Sequence, residues 1–248
     1  MGRKKYNKKQ TKIILSIIAL VIVAIASYFN IDIEKIFNNE ENKYKISYST
    51  SFDLTTIPEF DGANAYVVLN DNEPEFEEIY STSEAFEEYS ELDYLGRCGP
   101  AFANIGIETM PTEERGEIGQ VKPSGWKTVK YDNVDGKYLY NRCHLIGYQL
   151  TGENANEKNL ITGTRYMNVQ GMLTFENMVA NYIDETENHV LYRVTPIFEG
   201  ENLVANGVQI EAKSVEDNGE GICFNVYVYN VQPGITIDYS NGNSKLIQ

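Results

Sequence analysis

Alternating apolar and polar positions mark the last third of the chain. "HVLYRVTPIF" (189–198), "NLVANGVQIEAKSV" (202–215) and "ICFNVYVYNV" (222–231) predict three strands joined by hairpin turns at 199–202 and 216–221. "NAYVVLN" (64–70) predicts another strand, bounded by Gly62 and Asn72. The period changes in "TRYMNVQGMLTFENMVANYIDET" (164–186). There Phe175, Met178, Val179 and Tyr182 recur at helical spacing, with a break or kink expected near Gly171. The acidic stretch 72–95 reads as a helix in its second half. Ser83 stands as its cap, and Phe86, Tyr89 and Leu92 form one face. A solvated helix face explains its acids, with calcium or a cationic partner as the functional alternative. "LGRCGPAFANIGIETMP" (95–111) reads as a buried strand or turn. Asp135-Gly136 predicts a hairpin between "WKTVKYD" and "KYLYNRCHL", with a loop from Thr151 to Lys158 after it. The tail 240–248 is expected to fray. The sum is an α+β fold: a central antiparallel sheet with a strand–strand–helix insert.

One longer apolar run stands outside this pattern. Ile13–Phe29 holds 17 uncharged residues after a basic block of Arg3, Lys4, Lys5, Lys8, Lys9 and Lys12. That length is at the short limit for a membrane-spanning helix. The basic block 1–12 would stay cytoplasmic and the remainder would lie outside. Ala24-Ile25-Ala26 also fits a signal-peptidase site, so anchor and cleaved signal peptide both stay open. Residues 30–50 read as a polar linker, and 51–248 as the functional domain.

Charge sharpens the division. The chain has 21 basic and 36 acidic residues, a net of −15. Residues 30–93 hold 3 basic and 17 acidic residues, whereas 94–182 hold nine of each. The field as a whole would repel a polyanion, yet the segment 94–182 could receive one locally. Three cysteines form no complete disulfide framework, although Cys98 and Cys223 could pair.

The neutral segment also carries the candidate chemistry. "YLYNRCHLIGYQLTG" (138–152) contains His144, one of two histidines, with Arg142 on the same face of the expected strand. An imidazole can serve as a base at neutral pH, and a guanidinium suits phosphate oxygens. Asn168 and Glu176 follow on the expected helix, eight residues apart. Asn168 offers a neutral oxygen to Mg²⁺, and Glu176 can orient a water on such an ion. His189 opens a strand after an acidic turn and is expected to be structural. Cys143 as a nucleophile is disfavoured, because neighbouring strand residues point to opposite faces.

"NRCH", then "NLITGTRYMN", then a glutamate eight residues beyond Asn168 resemble the DNA/RNA non-specific endonuclease family. This is the ββα-metal family with the signature Asp-Arg-Gly-His. "LGRCGPAFANIG", "MPTEERG" and "VKPSGW" extend the resemblance, within the DNA-entry and streptococcal-type extracellular nuclease branch, over most of 60–240. The resemblance implies a ββα-metal motif and Mg²⁺-dependent cleavage of DNA, and of RNA, to 5′-phosphates; Mn²⁺ could substitute. It implies His144 as general base and Asn168 as the sole protein ligand of the metal. Glu176 stands near the metal waters, and Arg142 and Arg115 stand at the phosphate. Lys122 and Lys127 are further candidates for nucleic-acid contact. Asn159 matches an asparagine near the site, in either a structural or a catalytic role. Two positions depart from the signature: Asn141 replaces Asp and Cys143 replaces Gly. Cys143 would be strained if that backbone needs φ > 0. A membrane-tethered nucleic-acid-binding protein without turnover is the alternative that these departures and the acidic surface allow.

Overall fold

The β-branched and aromatic alternation of 190–229 builds the centre of a six-stranded antiparallel sheet. In the computed structural model, which describes residues 56–77, 80 and 84–247, the strand order is β1-β8-β7-β6-β3-β2. The strands are β1 (Tyr66–Val68), β2 (Phe86–Tyr89), β3 (Ala101–Ile105), β6 (Val190–Ile197), β7 (Gly207–Ser214) and β8 (Cys223–Tyr229). A separate two-stranded ladder joins β4 (Tyr140–His144) to β5 (Leu160–Thr164), with Cys143 opposite Ile161 and His144 opposite Leu160. After β5 come a π-helical turn, Met167–Met172, and the helix α2, Leu173–Thr186. A short helix α1, Tyr148–Thr151, precedes β5.

Sheet, ladder and helix share one apolar core. Ala101, Ala103, Ile105, Tyr192, Val194, Val208, Ile210 and Val226 line one sheet face. Cys143, Ile161, Met167, Phe175, Val179 and Ile183 pack onto them from the ladder and the helix. The β4-β5-helix unit is therefore the strand–strand–helix insert, held on the sheet by burial of apolar area at ~25 cal/mol per Å². The other sheet face has a polar centre. Arg193 on β6 reaches Glu211 on β7 at 2.7 Å, and Glu211 is only 3% exposed. The acidic segment 73–77 straps across this pair. Glu75 gives its N–H to Glu211 and its carbonyl to Arg193, while Phe76 stacks on Phe102.

Several expectations are corrected. Residues 86–89 form the edge strand β2, not a helix; Phe86, Glu87, Glu88 and Tyr89 pair with Asn104, Ala103, Phe102 and Ala101. Pairing with β3 and the edge contact of Phe86 with Phe102 outweigh the i, i+3 pattern. The proposed cap Ser83 lies outside the described residues, as do the apolar run 13–29 and the linker 30–50. Among the described residues no helix is long and apolar enough to cross a membrane. The Asp135-Gly136 turn forms, with Gly136 at φ 69°; Lys130 bridges Tyr138 across it, Tyr131 gives its N–H to Lys137 and Leu139 its N–H to Val129, and no named strand continues this pairing. β4 pairs with β5 instead. The tail does not fray at 243–246: β10 (Asn243–Leu246) pairs with β9 (Ile235–Asp238). Cys98 and Cys223 are free thiols; Cys98 is buried with its Sγ on the carbonyls of Glu157 and Leu160.

A single buried amide joins the ladder to the sheet. Asn230, fully buried, accepts the N–H of Thr164 at 2.8 Å and donates to the carbonyls of Thr162 and Ala205. Asn230→Ala would strand one donor and two acceptors. We expect a loss of ~3 kcal/mol or more of unfolding free energy. It should show as a lower urea midpoint at unchanged slope; a loss below ~1 kcal/mol would contradict the coupling.

Candidate active site

The end of β4 is fixed from the next turn of chain. Asn159, fully buried, accepts the N–H of Ile146 with its Oδ1 at 2.9 Å and donates its Nδ2 to the Ile146 carbonyl at 3.0 Å. Its own carbonyl takes the N–H of Leu145. Asn159 thus closes the loop behind His144 and is not among the residues that line the cleft.

His144 is 6% exposed. Its Nε2 lies 2.7 Å from the backbone carbonyl of Asn154. A carbonyl only accepts, so Nε2 carries the proton and the neutral ring keeps its lone pair on Nδ1. Nδ1 faces Arg115, with Nη2 at 3.4 Å. Burial holds the His144 pKa below 6.5; the Asn154 carbonyl opposes that, and the Arg115 charge adds to it. The imidazole is therefore uncharged at neutral pH, with Nδ1 ready to take a proton.

A cleft of about 400 Å³ includes His144 in its lining. Arg115, Arg142, Arg165, His144, Asn168 and Glu176 line it together, with Gly147 and Tyr148. The π turn matters for this meeting. Eight residues of regular α-helix would rotate Glu176 ~80° away from Asn168. The wider π turn at Met167–Met172 removes part of that rotation. The carboxyl of Glu176 then lies against Gly147: a Cβ there would sit 2.5 Å from Oε2. Position 147 needs glycine for this close approach. Burial pushes the Glu176 pKa up to about 7, with Arg115 acting in the opposite direction.

The two departures from the signature have local answers. Asn141 accepts the Asn168 Nδ2 on its own Oδ1 at 3.3 Å, which leaves the Asn168 Oδ1 available to the cleft. An aspartate would accept the same bond, so the exchange removes a charge and keeps the contact. Cys143 does not lie at positive φ, so it carries no strain of that kind. Its side chain fills the space left by Gly163 on β5, where a Cβ would meet Sγ at 2.4 Å. The thiol is fully buried and burial pushes its pKa up, which removes it as a nucleophile.

The oxygen donors fit a hydrated hard cation. Asn168 Oδ1 and the half-buried Glu176 carboxyl share the cleft. No group of three or more His, Cys, Asp or Glu suited to a metal occurs among the described residues. A divalent ion here would keep most of its waters, as Mg²⁺ does in sites with few protein ligands.

Not every candidate converges. Arg142 lines the cleft but also clasps the loop behind it. Its Nη2 donates to Gly119 O at 2.8 Å, its Nε donates to Val121 O, and its guanidinium lies 4.0 Å over the Trp126 ring. Lys122 and Lys127 are exposed on this loop and do not line the cleft. His189 does not line the cleft and is held between Glu108 and Glu216. Burial opposes its charge, but bonds to Glu216 and Glu108 outweigh that and raise its pKa. Arg165 is the charged lining residue that sequence reasoning missed. It opens the helical segment three residues before Asn168, a spacing that places two side chains on one face, and pairs with Asp135 at 2.8 Å.

Comparison with known proteins agrees with this geometry. The structure of NucA from Streptococcus agalactiae with magnesium bound is similar at 26% identity and a TM-score of 0.66, covering 74% of this chain and 88% of that one. The structure of the Sda1 nuclease with a bound zinc ion is similar at 26% identity and a TM-score of 0.60, covering 75% and 97%. The family model for the DNA/RNA non-specific endonuclease matches residues 77–216, more than half of the chain. With a histidine, arginines and oxygen donors in one cleft, the chain belongs to the DNA/RNA non-specific endonuclease family and is a phosphodiester hydrolase.

Proposed function

We propose that this chain is a magnesium-dependent, sequence-nonspecific endonuclease that cleaves DNA, and RNA by the same chemistry, to 5′-phosphate products. The observation that carries the proposal is the His144 ring, tied at Nε2 and facing Arg115 with Nδ1, in one cleft with Arg115, Asn168 and Glu176. His144 Nδ1 takes a proton from water as the water oxygen attacks phosphorus. Arg115 offsets the charge gathering on the phosphate oxygens, and the N–H groups of Arg142 left over from its loop contacts act with it. Magnesium, or manganese in its place, would be held by Asn168 Oδ1 with its waters near Glu176, and would supply Lewis-acid stabilisation of the charge on the phosphate oxygens and on the leaving 3′-oxygen, which takes its proton from solvent. Both similar structures contain divalent metals, magnesium in NucA and zinc in Sda1, which supports a divalent requirement here.

Binding uses local charge. Arg115, Arg142 and Arg165 concentrate positive charge at the cleft, and Lys122 and Lys127 extend it for a longer strand. We place the enzyme outside the cell, since the basic block before the apolar run 13–29 suits export as an anchored or a cleaved form.

Three outcomes test the mechanism. His144→Gly should lower plasmid cleavage by about 10²–10⁴-fold, with partial recovery on added imidazole; wild-type cleavage by that variant would overturn the assignment. Asn168→Ala should raise the Mg²⁺ concentration for half-maximal rate by about tenfold or more, and an unchanged titration would remove it as the ligand. The sign of the pH dependence follows from a depressed histidine: the neutral base is fully present above 6.5 and is lost only as pH falls through the lower folded value. The His144 ring should therefore titrate below pH 6.5 when followed by NMR, apart from the titration of Glu176 at about 7, and a ring midpoint above 6.5 would contradict this.

A further inference from the structure

Asn154 reaches both nitrogens of the imidazole by two routes. Its backbone carbonyl takes the Nε2 proton of His144 at 2.7 Å. Its side chain packs on the loop that brings Arg115 to the other nitrogen. The Asn154 Nδ2 sits where a Cβ on Gly116 would come within 2.7 Å, and it points to the Glu117 carbonyl at 3.5 Å. Gly116 directly follows Arg115, whose Nη2 is 3.4 Å from His144 Nδ1. The Oδ1 of the same amide is buried and has no hydrogen-bond partner. A buried acceptor left unpaired is costly, so packing alone gives poor reason for an asparagine here. Its contact with the 115–117 loop supplies one. Tyr148 grips the same loop further out, donating its hydroxyl to the Glu113 carbonyl at 2.8 Å. The loop is thus held at two points on either side of Arg115.

We propose that Asn154 is a positioning residue for hydrolysis: its side chain sets Arg115 against the base nitrogen whose tautomer its carbonyl fixes. The inference rests on His144 acting as the base. Asn154→Ala keeps the carbonyl and removes only the grip on the loop. A shift of ~1 Å in a charged group can cost orders of magnitude in rate, so a fall in kcat of about tenfold or more is expected, with KM changed less. Because the effect runs through Arg115, the two substitutions should not add.

The test is a double-mutant cycle on plasmid cleavage in Mg²⁺, with wild type, Asn154→Ala, Arg115→Gln and the double variant. The double variant should be no slower than Arg115→Gln alone. Losses that multiply, or an Asn154→Ala enzyme at the wild-type rate, overturn the proposal. Gly116→Ala approaches the same contact with Asn154 intact and should give a similar fall if Asn154→Ala fails to fold. An independent reading comes from the ¹⁵N resonances of the His144 ring. Asn154→Ala and Arg115→Gln should shift Nδ1 alike while Nε2 stays protonated, and an unmoved Nδ1 counts against the proposal. Absence of cleavage by the wild type would sink the nuclease mechanism instead, and the ring resonances would then decide the positioning role alone.

Discussion

The site depends on one paired amide. Asn159 lies against the backbone of Ile146, taking its N–H and giving to its carbonyl, and this fixes where β4 stops. A buried connection needs partners for its polar backbone, and most connections avoid the problem by running over the surface. Here the chain turns inward directly after His144, and a side chain supplies what a third strand would otherwise provide. Once that turn is set, His144 cannot slide along the ladder. Gly147 then comes to rest beneath Glu176, and the 152–158 loop returns Asn154 to the ring. The arginines are held from outside this frame, by loops that grip or are gripped.

Much of this was legible in the sequence, and the limits have physical causes. The strands β6, β7 and β8 form where their β-branched and aromatic runs predict, although as central strands they are covered on both faces; the helix α2 buries Phe175 and Val179 as spaced, with Ile183, whereas Met178 faces solvent. Phe86, Tyr89 and Leu92 misled, because a short edge strand with a run of glutamates shares its spacing with an amphipathic helix. Only pairing with β3 decides between them. His144, Arg115, Asn168 and Glu176 were readable as an ordered motif, and the cleft gathers them. Lys122 and Lys127 were read from charge alone, and charge does not say which way a loop faces. Arg165 lay inside a quoted motif, yet its role emerges only when the helical segment is seen to begin at that residue. Asn154 carries no sequence signal, since its main contact is made by a backbone carbonyl.

The distribution of acids also becomes intelligible. Residues 73–77 belong to the most acidic part of the chain, yet they serve as a strap over the sheet, where Glu75 pairs through its backbone with Arg193 and Glu211. Charge on that face has a packing role and need not oppose substrate at the cleft, since exposed charges beyond ~8–10 Å are largely screened at physiological salt. The nearby glutamates Glu113, Glu114 and Glu117 flank Arg115 and temper the local field more directly.

The three thiols have a further consequence. Cys98 is closed off beneath the 157–160 turn, Cys143 is sealed against Gly163, and only Cys223 is partly open to solvent. No covalent cross-link ties distant parts of the chain, so recovery of the native state from denaturant requires no thiol oxidant and no shuffling catalyst. The same arrangement gives the folded molecule one addressable sulfur, on the sheet and outside the set of cleft-lining residues, to which a reporter group can be attached while the hydrolytic machinery stays untouched.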